Sequence, residues 1–235
     1  APTPIPQDYK TPGNEFLLAG TLDAGFAGFV QPSEMGKIGA SNLDFNGTNL
    51  ALELGLSAGT AINSDTAWIK YVYGNKVCFR PIKPLRHPPT WNQLYNAGIV
   101  YPTADEGLLP PNGRMGTQLS ISASDNSINT TTLAADAANG FLKADAIVAN
   151  VGNVVTLKGW TNPANNGDFT VVSITANKIV LSGGTLVNES SNRLGRVFKK
   201  SLAVTQGKVI KVGGLDFRVR LMRGASNDPL NSYDH

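Results

Sequence analysis

Residues 65–101 read DTAWIKYVYGNKVCFRPIKPLRHPPTWNQLYNAGIVY, and residues 208–224 read KVIKVGGLDFRVRLMRG. In the first stretch, residues 67–73 and 76–83 are strand-like runs joined by Gly74-Asn75, two residues that accept positive φ and so predict a tight hairpin. A strand period of two sets Ile69, Tyr71 and Tyr73 on one face and Trp68, Lys70 and Val72 on the other. Pro81 has no amide proton to give and predicts an edge position. After RHPP, Thr90 caps a predicted short helix, WNQLYNAG, that ends at Gly98. Its Trp91, Leu94 and Tyr95 fall on one side and are expected to pack on the hairpin. The second stretch predicts another hairpin, residues 208–212 and 215–222 about Gly213-Gly214. Phe217, Val219 and Leu221 then form an apolar face opposite Arg218, Arg220 and Met222.

These aromatic, basic stretches are separated by a region of different chemistry. Residues 116–196 carry little charge and are rich in Ser, Thr, Asn, Ala and Val. A folded unit is tolerated inside another where its two ends leave a surface loop close together, so the pattern predicts an inserted domain. Short strands are expected near 119–123, 147–151, 154–158, 169–175, 179–182 and 196–199. Turns are expected at Gly152-Asn153, Asn165-Asn166-Gly167, Ala176-Asn177 and Gly183-Gly184. The resulting expectation is a mainly β protein. An extended arm, residues 1–14, precedes an α+β host domain of short helices and hairpins, residues 15–113 plus 207–235. A small antiparallel β-barrel or sandwich, residues 114–206, interrupts the host. The arm holds Pro2, Pro4, Pro6 and Pro12 and reads either as a frayed terminus or as a strap on a neighbouring subunit. Thr48 is the expected cap of a short helix closed by Gly55.

The chain has 235 residues, 41% hydrophobic and 16% charged, with a net charge of +3, enough for one large or two small cores. Its mild positive charge is dispersed, so nucleic acid is permitted but not expected as a partner. Tyr71, Tyr73, Trp68 and Phe79, interleaved with Lys70, Lys76, Arg80, Lys83 and Arg86, could stack bases, but those aromatics are the ones the core requires. Cys78 is the sole cysteine and reads as a buried thiol. With only His87 and His235 as histidines, no metal site, catalytic triad or cofactor motif is expected, nor enzyme activity. Asp105-Glu106 reads as a solvated turn. No apolar run is long enough to span a bilayer, so no membrane insertion is expected. The opening APTPIPQDYKTPGNEF lacks the signal-peptide pattern and reads as a cytosolic product or one whose signal is already removed. In the loop KGWTNPANNGDF, Trp160, Asn165 and Asn166 are candidate contacts for a glycan or protein partner; the alternative for Trp160 is a loop anchor packed on the small barrel.

The two outer blocks resemble a family of tailed-bacteriophage virion proteins. In that family a "KPxR" element leads to a "WxxLxxAGxVY" helix and later to a "GxxYxVRLxxG" hairpin. The matching residues are Lys83, Pro84 and Arg86, then Trp91, Leu94, Ala97, Gly98, Val100 and Tyr101, then Gly214, Val219, Arg220, Leu221 and Gly224. Phe217 stands where the family has Tyr. The inserted stretch is similar to small β modules of virion proteins that carry "VTLxGxxNxxNNGxFTV". Family members continue into a C-type-lectin-like region suited to receptor contact, which no residues here match. The resemblance implies a structural subunit of a virion (tail fibre, tail tip or decorating protein), made in the host cytoplasm. It implies homo-oligomers, with other virion proteins and copies of itself as partners and a host cell-surface receptor as a further one. A glycan-binding or host-adhesion module is the alternative.

Overall fold

The computed structural model describes residues 2–6, 10–111, 113–115, 119–130, 151–175, 178–190 and 192–221, with the backbone alone at 114 and 115. The protein is mainly β and divides into two compact units, Ala1–Asp105 with Gln206–His235, and Glu106–Thr205. In chain order the first unit contains β1 (Ala19–Gly20), β2 (Ala24–Val30), β3 (Lys37–Ile38), β4 (Leu43–Asp44), α1 (Gly47–Leu54), β5 (Thr60–Ala61), β6 (Trp68–Tyr73), β7 (Lys76–Pro81), β8 (Arg86–His87) and α2 (Trp91–Asn96). The second holds β9 (Arg114–Met115), β10 (Leu119–Ser122), β11 (Ser127–Thr130), β12 (Val154–Lys158), β13 (Gly167–Ile174), β14 (Lys178–Ser182) and β15 (Arg196–Lys199). The chain then returns to the first with β16 (Val209–Val212) and β17 (Leu215–Arg218).

The predicted hairpin forms the inner and edge strands of an antiparallel sheet ordered β1-β2-β6-β7. Gly74 and Asn75 both take positive φ, +54° and +59°, as a two-residue turn requires. Trp68, Lys70 and Val72 face inward and are buried. The return hairpin lies in a different sheet, β17-β16-β3-β4, where Val212 pairs with Ile38. The Gly213 amide donates to the Lys37 carbonyl, stitching residues distant in sequence. Ile210 and Val212 enter one core with Val30, Ile38, Phe45, Leu54 and Trp68, so the main core of the first unit is built from segments on both sides of the interruption.

Several local expectations change. Asn46, not Thr48, caps α1 by accepting from the Asn49 amide, because the helix begins at Gly47. On α2, Tyr95 is fully buried but Trp91 remains 40% exposed, stacked on Tyr95 with ring centres 5.2 Å apart. Of the proline-rich N-terminal segment, the described residues 2–6 are held against the first unit. The Ile5 amide donates to the Glu15 carbonyl and the Leu17 amide to the Thr3 carbonyl, while Ile5 packs with Leu17, Ala27 and Val72.

Lys70 shows how that segment is held. Its side chain is buried, its ammonium donates to the carbonyls of Asn14 (2.7 Å) and Thr11 (3.4 Å), and it lies 6.0 Å from the Phe79 ring centre. Desolvation lowers its pKa to about 8, against the opposing pull of Glu15.

The second unit is one antiparallel sheet, ordered β10-β11-β14-β13-β12-β15-β9 and rolled into a half-barrel, the single-sheet form of the barrel-or-sandwich expectation. Alternation along β12 and β14 sends Val155, Leu157, Ile179 and Leu181 into a core with Ile128, Phe169 and Val197. Strand β11 was not among the expected strands; its polar sequence SINT hides Ser127 and Ile128, both fully buried. The strand expected at 147–151 falls outside the described residues except for Val151, which lies in a turn, and the turn at Ala176-Asn177 falls outside them entirely.

The units divide at Asp105/Glu106, not at 113/114, because Glu106 is tied to the second unit. Its carboxylate accepts from Lys158 Nζ at 2.6 Å and from Arg196 at 3.2 Å. Asp105 keeps to the first, its carbonyl accepting from the Gln206 amide at 2.7 Å. The chain therefore leaves and re-enters the first unit at hydrogen-bonded neighbours.

Candidate functional site

The loop after β12 carries the three residues singled out as contacts, and the structure turns two of them inward. Trp160 is 4% exposed and Asn165 fully buried, so neither presents its side chain to a ligand. The Trp160 indole nitrogen donates to the Arg196 carbonyl at 3.3 Å, with Gly195 against its ring plane, where a Cβ would lie 3.0 Å from ring carbons. Asn165 pairs through both ends of its amide with the Val187 backbone, at 2.9 and 2.8 Å. Asn166 accepts from the Trp160 amide and donates to the carbonyls of Trp160 and Asn162. Asn162 caps the 3-10 turn Pro163–Asn165. The Asn-rich pattern is thus a self-satisfied plug; of the two readings of Trp160, the anchor holds.

Glu189 is the hub of this plug and carries no signal in the sequence. Its carboxylate accepts from the amides of Thr161 (2.8 Å) and Asn162 (3.1 Å) and from the side chains of Asn165 (2.9 Å) and Asn192 (3.1 Å). Desolvation would raise its pKa, but the Thr161, Asn165, Asn162 and Asn192 donors outweigh it and hold the group at about 2. A carboxyl depressed in the folded state contributes stability that is full above its ordinary value of 4.5 and is lost as pH falls toward 2. The second unit is therefore expected to lose stability across that window, and Glu189→Gln to reduce the slope. Asp125 beside Lys178 and Asp168 beside Lys200 are depressed too, so a residual slope remains. Acid-unfolding curves of equal slope in variant and wild type would overturn this assignment.

A different surface has the chemistry the loop lacks. On the outer face of β1-β2-β6-β7 the register sets Ala24, Tyr73 and Lys76 in one row, Phe26, Tyr71 and Cys78 in the next, and Phe29, Ile69 and Arg80 in a third. Phe29 is 59% and Tyr73 53% exposed, with Phe26, Ile69 and Tyr71 half-buried between them. Phe26 and Phe29 lie an odd number of residues apart and would face opposite ways in a regular strand. A bulge between Phe26 and Gly28 turns both rings outward, 5.4 Å apart and edge to face. Gly28 supplies the φ of +113° that this needs. The paired glycines of AGFAGFV were the only sequence sign of it.

Burial raises the Tyr71 phenol, which shares a hydrogen bond with Cys78, while Arg220 draws it down. Burial likewise raises the Cys78 thiol, which is half-buried and not the closed thiol expected. His87 is exposed, and Glu106 lies in ion pairs, unlike the solvated turn expected. Burial acts to raise the Glu106 pKa, but Lys158 and Arg196 prevail and lower it. Among the described residues no group of three His, Cys, Asp or Glu side chains converges as metal ligands, and no helix is long and apolar enough to cross a membrane.

No family model matches the chain, and no curated protein and no solved structure is significantly similar to it.

Proposed function

We propose that the chain is a structural component of a bacteriophage virion, a tail fibre, tail tip or decorating subunit that acts through protein–protein contacts. What supports this reading is that the separated blocks carrying the family pattern meet in space. The Lys208 amide donates to the Gly98 carbonyl, and the Leu221 amide to the Ile99 carbonyl, so the "WxxLxxAGxVY" segment and the "VRL" segment are hydrogen-bonded partners. Arg218 adds a bond to the Pro102 carbonyl at 2.7 Å. The alternative of a glycan-binding module loses two of the three contacts offered for it, since Trp160 and Asn165 are enclosed, and the third, Asn166, bonds the backbone of Trp160 and Asn162.

A virion subunit works by repetition, and closed point-group symmetry is the usual form of it. Sedimentation and negative-stain microscopy of the purified chain are expected to give a symmetric oligomer. A monomer at every concentration up to the solubility limit would overturn the proposal.

A further inference from the structure

The outer face of β1-β2-β6-β7 has a composition that neither the fold nor a virion role accounts for. A core that needs the aromatics of the hairpin argues against nucleic acid as a partner. The structure divides them: Trp68 is buried in the core and Phe79 packs edge to face on Phe217, but Tyr71 and Tyr73 point the other way. The bulge in β2 adds Phe26 and Phe29 to the same side. Four aromatic rings thus lie on two adjacent strands of an open sheet face. Beside them, on edge strand β7, the outward residues are Lys76, Cys78 and Arg80. Arg220 is close enough to act electrostatically on both Tyr71 and Cys78. None of the residues in the three outward rows is acidic.

A face of this kind suits a ligand that carries flat rings and negative charge on one flexible strand. The geometry points to single-stranded nucleic acid as its occupant, with bases on Phe26, Phe29, Tyr71 and Tyr73 and the phosphates following Lys76, Arg80 and Arg220. Aromatic rings on a sheet accept any base, because every base has a π-face, and cations along one side track the backbone without reading sequence. A second copy of the chain meeting this face would bring together two faces whose outward rows hold cations and no carboxylate, which like charge disfavours. Lys76 and Arg80 on β7 also oppose its extension by another strand, leaving the face and not the edge for docking.

The test is fluorescence anisotropy of the intact chain with a labelled oligo-dT of about 15 nucleotides, a length within the usual site sizes. Binding is expected to weaken steeply with added salt. Phe29→Ala with Tyr73→Ala, both at well-exposed positions, is expected to weaken it by roughly tenfold or more. Lys76→Glu with Arg80→Glu is expected to abolish it. Circular dichroism melts matching the wild type keep these losses from being read as unfolding. Absence of oligo-dT binding overturns the proposal, as does heparin competing equally well against wild type and the Phe29/Tyr73 variant, since charge alone would then explain it. Sedimentation in which the aromatic substitutions dissolve an oligomer while oligo-dT binds nothing would assign the face to a contact between copies, and overturns it too.

Discussion

Gln206→Leu is expected to destabilise the first unit by about 3 kcal/mol and lower its melting temperature by on the order of 10 °C. Gln206 is 2% exposed, and its side chain works at both ends. Oε1 accepts from the Val100 amide at 3.1 Å and, at the limit of geometry, from the Tyr101 amide at 3.5 Å; Nε2 donates to the Tyr95 carbonyl at 2.9 Å. Leucine fills nearly the same space and satisfies none of these groups. The Val100 amide would lose its acceptor, at about 1–3 kcal/mol, whereas the Tyr95 carbonyl keeps the Gly98 amide at 2.8 Å and loses only one bond, worth about 1 kcal/mol. The defect falls where the chain returns beside Gly207, whose φ of +68° brings it against the Thr103 carbonyl, leaving little room for relaxation. Hydrogen exchange at the Val100 amide separates this account from a general loss of packing, because its protection should fall before that of Trp68. Unchanged melting and unchanged Val100 protection would show that the clasp contributes nothing.

Excising Glu106–Thr205 and joining Asp105 to Gln206 through a short Gly-Ser link is expected to leave the first unit folded, with its stability changed by no more than about 1 kcal/mol. The Asp105 carbonyl and Gln206 amide are already bonded at 2.7 Å, so the link spans almost no distance. The second unit, whose core of Leu119, Ile128, Val155, Phe169, Ile179 and Leu181 is its own, is expected to fold when expressed alone. A more demanding form of the prediction keeps the chain whole and unfolds the second unit with Ile179→Asp. The first must then close a flexible loop of the 100 residues Glu106–Thr205, and loop entropy predicts a loss of about 3 kcal/mol relative to the excised form. Loss of cooperative unfolding on excision would mean that the two units are one folding body.

Much of the fold was legible because its signals are local. Gly74-Asn75 and Gly213-Gly214 set hairpins through backbone angles that few other residues accept, and Thr90 and Gly98 bracket α2. The inserted unit was readable as a change in composition, and most of its described strands as alternation. The candidate site was not legible in this way. Trp160, Asn165 and Asn166 looked like contacts because Asn and Trp serve exposed recognition and internal bonding equally well. Whether an amide faces out or pairs with Val187 depends on the loop after β14, 22 residues away. The hub of that network, Glu189, stands in VNESS, where a glutamate has no distinguishing neighbour. Lys70 gave no local sign that the carbonyls of Thr11 and Asn14 would receive it inside the protein.

By itself, then, the sequence determined the turns, the strand alternation, the class of fold and the fact of an interruption, because each follows from backbone preferences within a few residues. Only the tertiary structure decided where the interruption begins, which of the aromatics are core, and which polar groups are buried. Those depend on free energies of desolvation and pairing between segments far apart in the chain. Glu106 belongs to the second unit because Lys158 and Arg196 are there to meet it. Tyr71 and Phe29 lie on an open face because a bulge at Gly28 turned β2 and the Ile5–Leu17 packing took the other side.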